Sequence, residues 1–137
     1  MDAMEISRTG LDVEWQRLQV IAQNLANMNT TRDAAGGAYR PQRLLSGPQA
    51  SFSAIIGGAP KGVAVQGTAT TGIAGRRVHE PDHPHADVEG YVTYPAIDHA
   101  GEMTLLIKTS RAYEANLTAF SIAQQMYTRA LDLGNKA

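Results

Sequence analysis

All six prolines and ten of the thirteen glycines of this 137-residue chain fall between Thr30 and Pro95. Proline removes a backbone donor and clashes with the preceding helical turn. Glycine costs about 1 kcal/mol per helical position relative to alanine, so no long helix forms in that span. Outside it the chain is nearly free of breakers: residues 2–27 contain only Gly10, and residues 99–133 only Gly101. The chain therefore divides into an N-terminal helical segment (1–30), a Gly/Pro-rich middle (31–96) and a C-terminal helical segment (97–137). The expected fold class is α+β, with the two long terminal helices pairing as an antiparallel coiled coil beside a small, irregular, β-containing middle.

In the first helix Leu11, Trp15, Leu18, Ala22 and Leu25 recur at spacings of four and three, which keeps one seam facing a partner. Val20, Ile21 and Met28 widen it. The helix is expected to end near Asn27 or Asn29, because asparagine tolerates the left-handed conformation, and Asn24 and Asn27 are read as end-of-helix hydrogen bonders. The second helix is expected to start after Pro95, with Asp98 as its cap and Glu102 favoured by the positive end of the helix dipole. Gly134 supplies its stop. Its main seam reads Met103, Leu106, Ser110, Tyr113, Leu117, Phe120, Gln124, Tyr127 and Leu131, while Ala115, Ala119, Ile122, Met126 and Leu133 form a second apolar series. At 1.5 Å rise per residue some 35 residues make a rod of roughly 50 Å, longer than a domain of this size requires. Arg111 and Glu114, three apart, are expected to meet on the helix surface or to set register at a subunit boundary.

Between the helices, Phe52–Ile56, Val63–Gln66, Ile73–Glu80 and Gly90–Tyr94 read as short strands, each bounded by glycine or proline. Turns are expected over Asp33–Gly37 and Gly58–Pro60.

The chemistry the chain offers is sparse. A net charge of −1 and a pI near 6.4 give no pull toward nucleic acid or an anionic membrane. The absence of cysteine excludes disulfides, thiolate catalysis and Cys-ligated zinc. No nucleophile elbow, P-loop or dinucleotide fingerprint occurs. The first residues, MDAMEISRTG, lack the apolar core of a secretory signal, and nothing resembles a membrane span, so a soluble chain without a cleaved signal is expected. VHEPDHPHAD gathers His79, Glu80, Asp82, His83, His85 and Asp87, which are metal-ligand types, but its two prolines force an extended path that splays neighbouring side chains apart. It reads as a polar turn; no metal, cofactor or catalytic residue is assigned. Arg76-Arg77 reads as a solvated strand face without interleaved aromatics.

Two end motifs, GLDVEWQRLQVIAQNLANMNT (Gly10–Thr30) and SRAYEANL (Ser110–Leu117), resemble the axial proteins of the bacterial flagellum. TTRDAAGGAYRPQ (Thr30–Gln42), EPDHPHADVEGYVTYP (Glu80–Pro95) and ALDLG (Ala130–Gly134) are similar, more narrowly, to the proximal rod proteins of that family. Ala96 stands where that family often has asparagine.

The resemblance implies a structural subunit of the periplasmic basal-body rod, exported unfolded through the flagellar type III apparatus. It implies helical polymerisation with copies of itself, with other proximal and distal rod proteins and with proteins of the export-gate and MS-ring junction. No enzyme, small-molecule substrate, nucleic acid or membrane insertion is implied. The expected assembly interface comprises Leu11, Trp15, Leu18, Ala22, Leu25, Met103, Leu106, Arg111, Tyr113, Glu114, Leu117, Phe120, Met126 and Leu131. A helix apolar on two adjoining faces can satisfy one against its own partner helix and the other against a neighbouring subunit, so the lone chain is expected to be partly disordered at both ends. The alternatives are a free-standing helical oligomerisation module, which closes into a small oligomer, and a small metal-dependent enzyme built on the His79–Asp87 loop.

Overall fold

The computed structural model describes residues 2–49 and 61–134. The two breaker-poor segments form helices α1 (Asp2–Ala26) and α2 (His99–Gly134). Between them lie strands β1 (Gln42–Pro48), β2 (Val63–Thr70), β3 (Arg76–His79) and β4 (Tyr91–Tyr94). This is an α+β chain with the helices at its ends.

Helix α1 stops where Asn27 takes over the hydrogen bonding. Its side chain and backbone N–H both donate to the Gln23 carbonyl, and Thr30 Oγ1 donates to Asn27 Oδ1 at 3.1 Å. Asn27 is an end-of-helix hydrogen bonder as expected, but not through the left-handed conformation, since among the described residues no non-glycine residue has a positive φ. At the start of α2 the backbone N–H of Glu102 donates to the Asp98 carbonyl. The Asp98 carboxylate lies against Gly101, where a Cβ would meet it at 2.6 Å.

Strands β1 and β2 pair antiparallel, Gln42 opposite Thr70 and Pro48 opposite Val63, with a register shift between Leu45 and Ser46. Leu45 faces Gly67 and Ser46 faces Val65, so Gln66 is the extra residue of a bulge. Gly67 carries φ of 141° there, a conformation that side chains rarely adopt. Strands β3 and β4 form a second ribbon, Arg76 opposite Tyr94 and His79 opposite Tyr91. β2 and β4 match two expected strands, the first running longer than expected. β3 occupies only Arg76–His79, the latter part of the expected Ile73–Glu80, where it pairs with β4. β1 was not expected: QRLLSGP lacks alternation and is recruited by pairing with β2. The expected strand Phe52–Ile56 and the turn at Gly58–Pro60 lie outside the described residues.

The packing order is α2, then α1, then the β1–β2 ribbon. Helix α1 touches both, while α2 packs its backbone against α1 and reaches the ribbon through the Glu102–Arg43 ion pair. Among the described residues only Val13, Ile21, Leu44 and Val92 are fully buried hydrophobic side chains. That is a small core for such a chain. A compact monomer of this mass exposes about 6,900 Å², whereas this chain exposes 9500 Å².

Candidate assembly interface

The two helices run antiparallel, as three contacts show. Asn24 on α1 reaches Glu102 on α2, the Trp15 ring lies 6.4 Å from that of Tyr113, and buried Gly10 abuts Asn116. The fully buried positions of α1 are Gly10, Val13, Ile21 and Asn24, and those of α2 are Glu102 and Thr109. The closed contact is therefore offset by about one residue from the seams that hydrophobic spacing suggests. Two small or polar columns recur every seven residues, Gly10, Arg17 and Asn24 on α1 and Glu102, Thr109 and Asn116 on α2, and they face each other in reverse order.

The leucine-rich seams flank this contact. Leu11, Leu18 and Leu25 are half-buried on α1, as are Leu106, Tyr113 and Phe120 on α2. Trp15 and Leu117 stay 54% and 49% exposed, and Met103 and Ala22 are exposed as well. Together they make one apolar stripe spread over both helices. The β1–β2 ribbon covers a different flank of α1: Arg17 donates to the Leu44 carbonyl and to Ser46 Oγ at 2.8 Å, and Thr9 Oγ1 accepts from the Val63 N–H at 3.1 Å.

Beyond Ala123 every described residue of α2 is exposed. Tyr127 and Leu131, 43% and 51% exposed, continue the main seam of α2, and Met126 and Leu133, 67% and 71% exposed, belong to the second series. Ala115, Ala119 and Ile122 are exposed too. Arg111 and Glu114 are exposed and form no ion pair with one another, in contrast to the sequence expectation. Their side chains are free to point apart, since an exposed pair gains little against its rotamer entropy.

Two residues take roles different from those expected. Asn24, expected as an end-of-helix bonder, is fully buried and saturated. Its Nδ2 donates to the Gln42 carbonyl at 2.9 Å and to Glu102 Oε2 at 3.3 Å, while its Oδ1 accepts from Tyr39 Oη and the Gln42 N–H, both at 3.0 Å. Glu102, expected merely to favour the helix dipole, is 2% exposed and is paired with Arg43. Burial, and then the Glu102 charge, push the Tyr39 hydroxyl above its ordinary pKa, which keeps it a donor to Asn24. The heptad spacing of the polar positions was the available signal; hydrophobic spacing alone passes over it.

The His79–Asp87 loop is held by its own side chains together with those of Thr31, Arg77 and Tyr94. Tyr94 Oη donates to Glu80 at 2.9 Å, the His85 N–H donates to His83 Nδ1 at 3.0 Å, and His85 Nδ1 lies 2.7 Å from Thr31 Oγ1. Asp87 Oδ1 accepts the N–H groups of Glu89 and Tyr91, and its Oδ2 accepts from Arg77. Among the described residues no three ligand-type side chains converge as for a metal. Arg76 and Arg77 stack over the rings of Tyr94 and Tyr91 at 5.6 and 4.6 Å, so aromatics do interleave with them across the ribbon, not along the chain. No described helix is long and apolar enough to cross a membrane.

The helical ends are also where the chain matches known families. The model described as "Flagella basal body rod protein" matches residues 4–32, which is α1 and its closing turn. The model described as "Flagellar basal body rod FlgEFG protein C-terminal" matches residues 88–133, which is β4 and α2. Full-length similarity narrows the assignment. The flagellar basal-body rod protein FlgC of Bacillus subtilis is 34% identical, over 96% of this chain and 96% of its own length. The FlgC proteins of Escherichia coli O6:H1 and Borreliella burgdorferi are each 32% identical, over 98% and 94% of this chain and 97% and 93% of theirs. This chain belongs to the FlgC family of flagellar basal-body rod proteins. It is a structural subunit of the rod.

Proposed function

We propose that this rod subunit polymerises helically, with copies of itself and with other axial proteins, into the proximal part of a hollow shaft in the periplasm. One observation carries the reading: among the described residues, the apolar stripe shared by α1 and α2 and the last turns of α2 stay largely exposed. Apolar area removed from water contributes about 25 cal/mol per Å² before the costs of association. A stripe on one flank of the helices, answered by a different surface of the next subunit, is a heterologous contact, and such contacts grow into open helices when they do not close into rings. The β1–β2 ribbon occupies another flank of α1, and in this reading the middle segment faces away from the helical packing.

The cysteine-free sequence suits export in an unfolded state through the flagellar type III apparatus, because no disulfide can obstruct threading. Neighbouring rod proteins and the proteins joining the rod to the MS ring and export gate are the partners this reading implies.

The test is sizing of the purified protein, alone and with the other axial proteins, combined with complementation of a non-motile strain lacking its own FlgC. Filaments or mixed rods are expected, with restored motility. A closed dimer or tetramer that ignores the other axial proteins overturns the proposal in favour of a free-standing helical module.

A further inference from the structure

The leucines flanking the α1–α2 contact do not specify one alignment. Leu11, Leu18 and Leu25 recur every seven residues, as do Leu106, Tyr113 and Phe120, so sliding one helix past the other by a heptad again sets large apolar residues side by side. The facing columns are different. Gly10 and Asn24 are separated by two heptads on α1, and Asn116 and Glu102 by the same two heptads on α2. At one end Asn24 is saturated only while Glu102 stands opposite. At the other, a Cβ on Gly10 would meet Asn116 Oδ1 at 2.7 Å, so the amide side chain lies over the space the glycine leaves. A one-heptad slip in either direction takes Glu102 from Asn24 and Asn116 from the glycine. Buried polar groups that fix register at some cost in stability are known from coiled coils.

We propose that the Asn24–Glu102 and Gly10–Asn116 pairs form a two-point register lock, and that its purpose is to set how far α2 projects beyond the start of α1. That projection begins after Ala123 and carries exposed Met126, Tyr127, Leu131 and Leu133. This inference rests on the rod reading for its purpose but not for its geometry. Subunits with a uniform projection repeat at a uniform axial step, whereas slipped subunits present a segment displaced by about 10 Å, seven residues at 1.5 Å each.

The chain has no cysteine, so spin labels go only where cysteines are introduced. Labels at Gln23 and Thr118, both exposed, report axial offset through a pulsed electron–electron distance measurement on the full chain. The parent is expected to give one narrow distance. Combining Asn24→Leu with Glu102→Leu is expected to retain helicity by circular dichroism and to add a population displaced by about 10 Å. Glu102→Gln keeps the shape and a hydrogen bond to Asn24, and is expected to keep the parent distance.

A single parent distance in the helical double-leucine variant, a displaced one in Glu102→Gln, or a broad distribution in the parent itself overturns the lock. So does loss of helicity in the double-leucine variant, which makes the cluster a stability element and not a register element. Failure of the lock leaves the rod reading intact, because rod formation and motility are measured separately. Conversely, a locked chain that forms no rods sinks the rod reading alone.

Discussion

Trp15 on α1 and Tyr113 on α2 lie 6.4 Å apart, ring centre to ring centre at 49°, yet more than half of the Trp15 surface remains open to solvent. The pair sits at the lip of the helix–helix contact and not inside it. A large aromatic in that position contributes modestly to the lone chain and much more once a neighbour covers it.

Leu117 lies in the same stripe and is half exposed, so Leu117→Asp is expected to change the stability of the isolated chain by no more than about 0.5 kcal/mol. The same carboxylate becomes costly when packed against a neighbouring subunit. Retained helicity and melting temperature together with lost rod assembly and motility is the expected combination. Normal motility counts against the stripe as an interface. Leu25→Asp is expected to block assembly too, while also loosening the pair, since Leu25 is half-buried.

Removing the Glu102 carboxylate leaves Asn24 short of an acceptor and Arg43 without its ion pair. Arg43 is partly exposed and can turn to water, which limits the cost. Glu102→Ala is therefore expected to destabilise by about 1–3 kcal/mol, and Glu102→Gln by less. Urea titration followed by circular dichroism measures both.

At Gly10 any side chain must displace Asn116. Gly10→Val is expected to cost about 1–3 kcal/mol through overpacking. Asn116→Ala, which clears the space, should recover part of that loss. A double-mutant cycle returning no coupling between the two positions contradicts the close approach.

Amide exchange in the isolated chain is expected to be graded along the helices. Residues around Asn24 and Glu102 are held by a saturated polar cluster and should exchange slowly. Gln124–Gly134, wholly exposed along a single helix, should exchange almost as a free peptide, and the first turns of α1 nearly as fast. Strong protection at both terminal segments contradicts the view that assembly completes the fold.

The Asp87 carboxyl is held below its ordinary pKa, first by the N–H of Tyr91, then by that of Glu89 and by the Arg77 guanidinium. The sign follows: a depressed folded pKa gives the turn a contribution that is complete above the unfolded value and is lost as pH falls through the folded one. Acidification should therefore loosen the Asp87–Tyr91 turn only below the normal carboxylate range, and Asp87→Asn should abolish that step. Carboxyl carbon shifts followed by NMR give the titration directly.

How much of this was legible beforehand differs by element. The division into helix, middle and helix follows from proline and glycine, whose effects on φ and on the backbone donor are local and hold whatever the neighbours are. The same locality makes Asn27 readable as a helix end, and β4 readable between Gly90 and Pro95. The end motifs carried the family, since those segments are what the two rod models match.

Which stripe closes and which stays open was settled in three dimensions. Hydrophobic spacing identifies the greasy positions of α1 and α2 but not the angle at which one helix meets the other. Here the ribbon on α1 and the polar columns rotate the contact away from the leucine seams. Asn24 reads as a cap until Glu102, 78 positions later, arrives to accept its hydrogen bond. A buried polar side chain is tolerable only when its partners are in place, and chain folding brings those partners from segments that no local pattern connects.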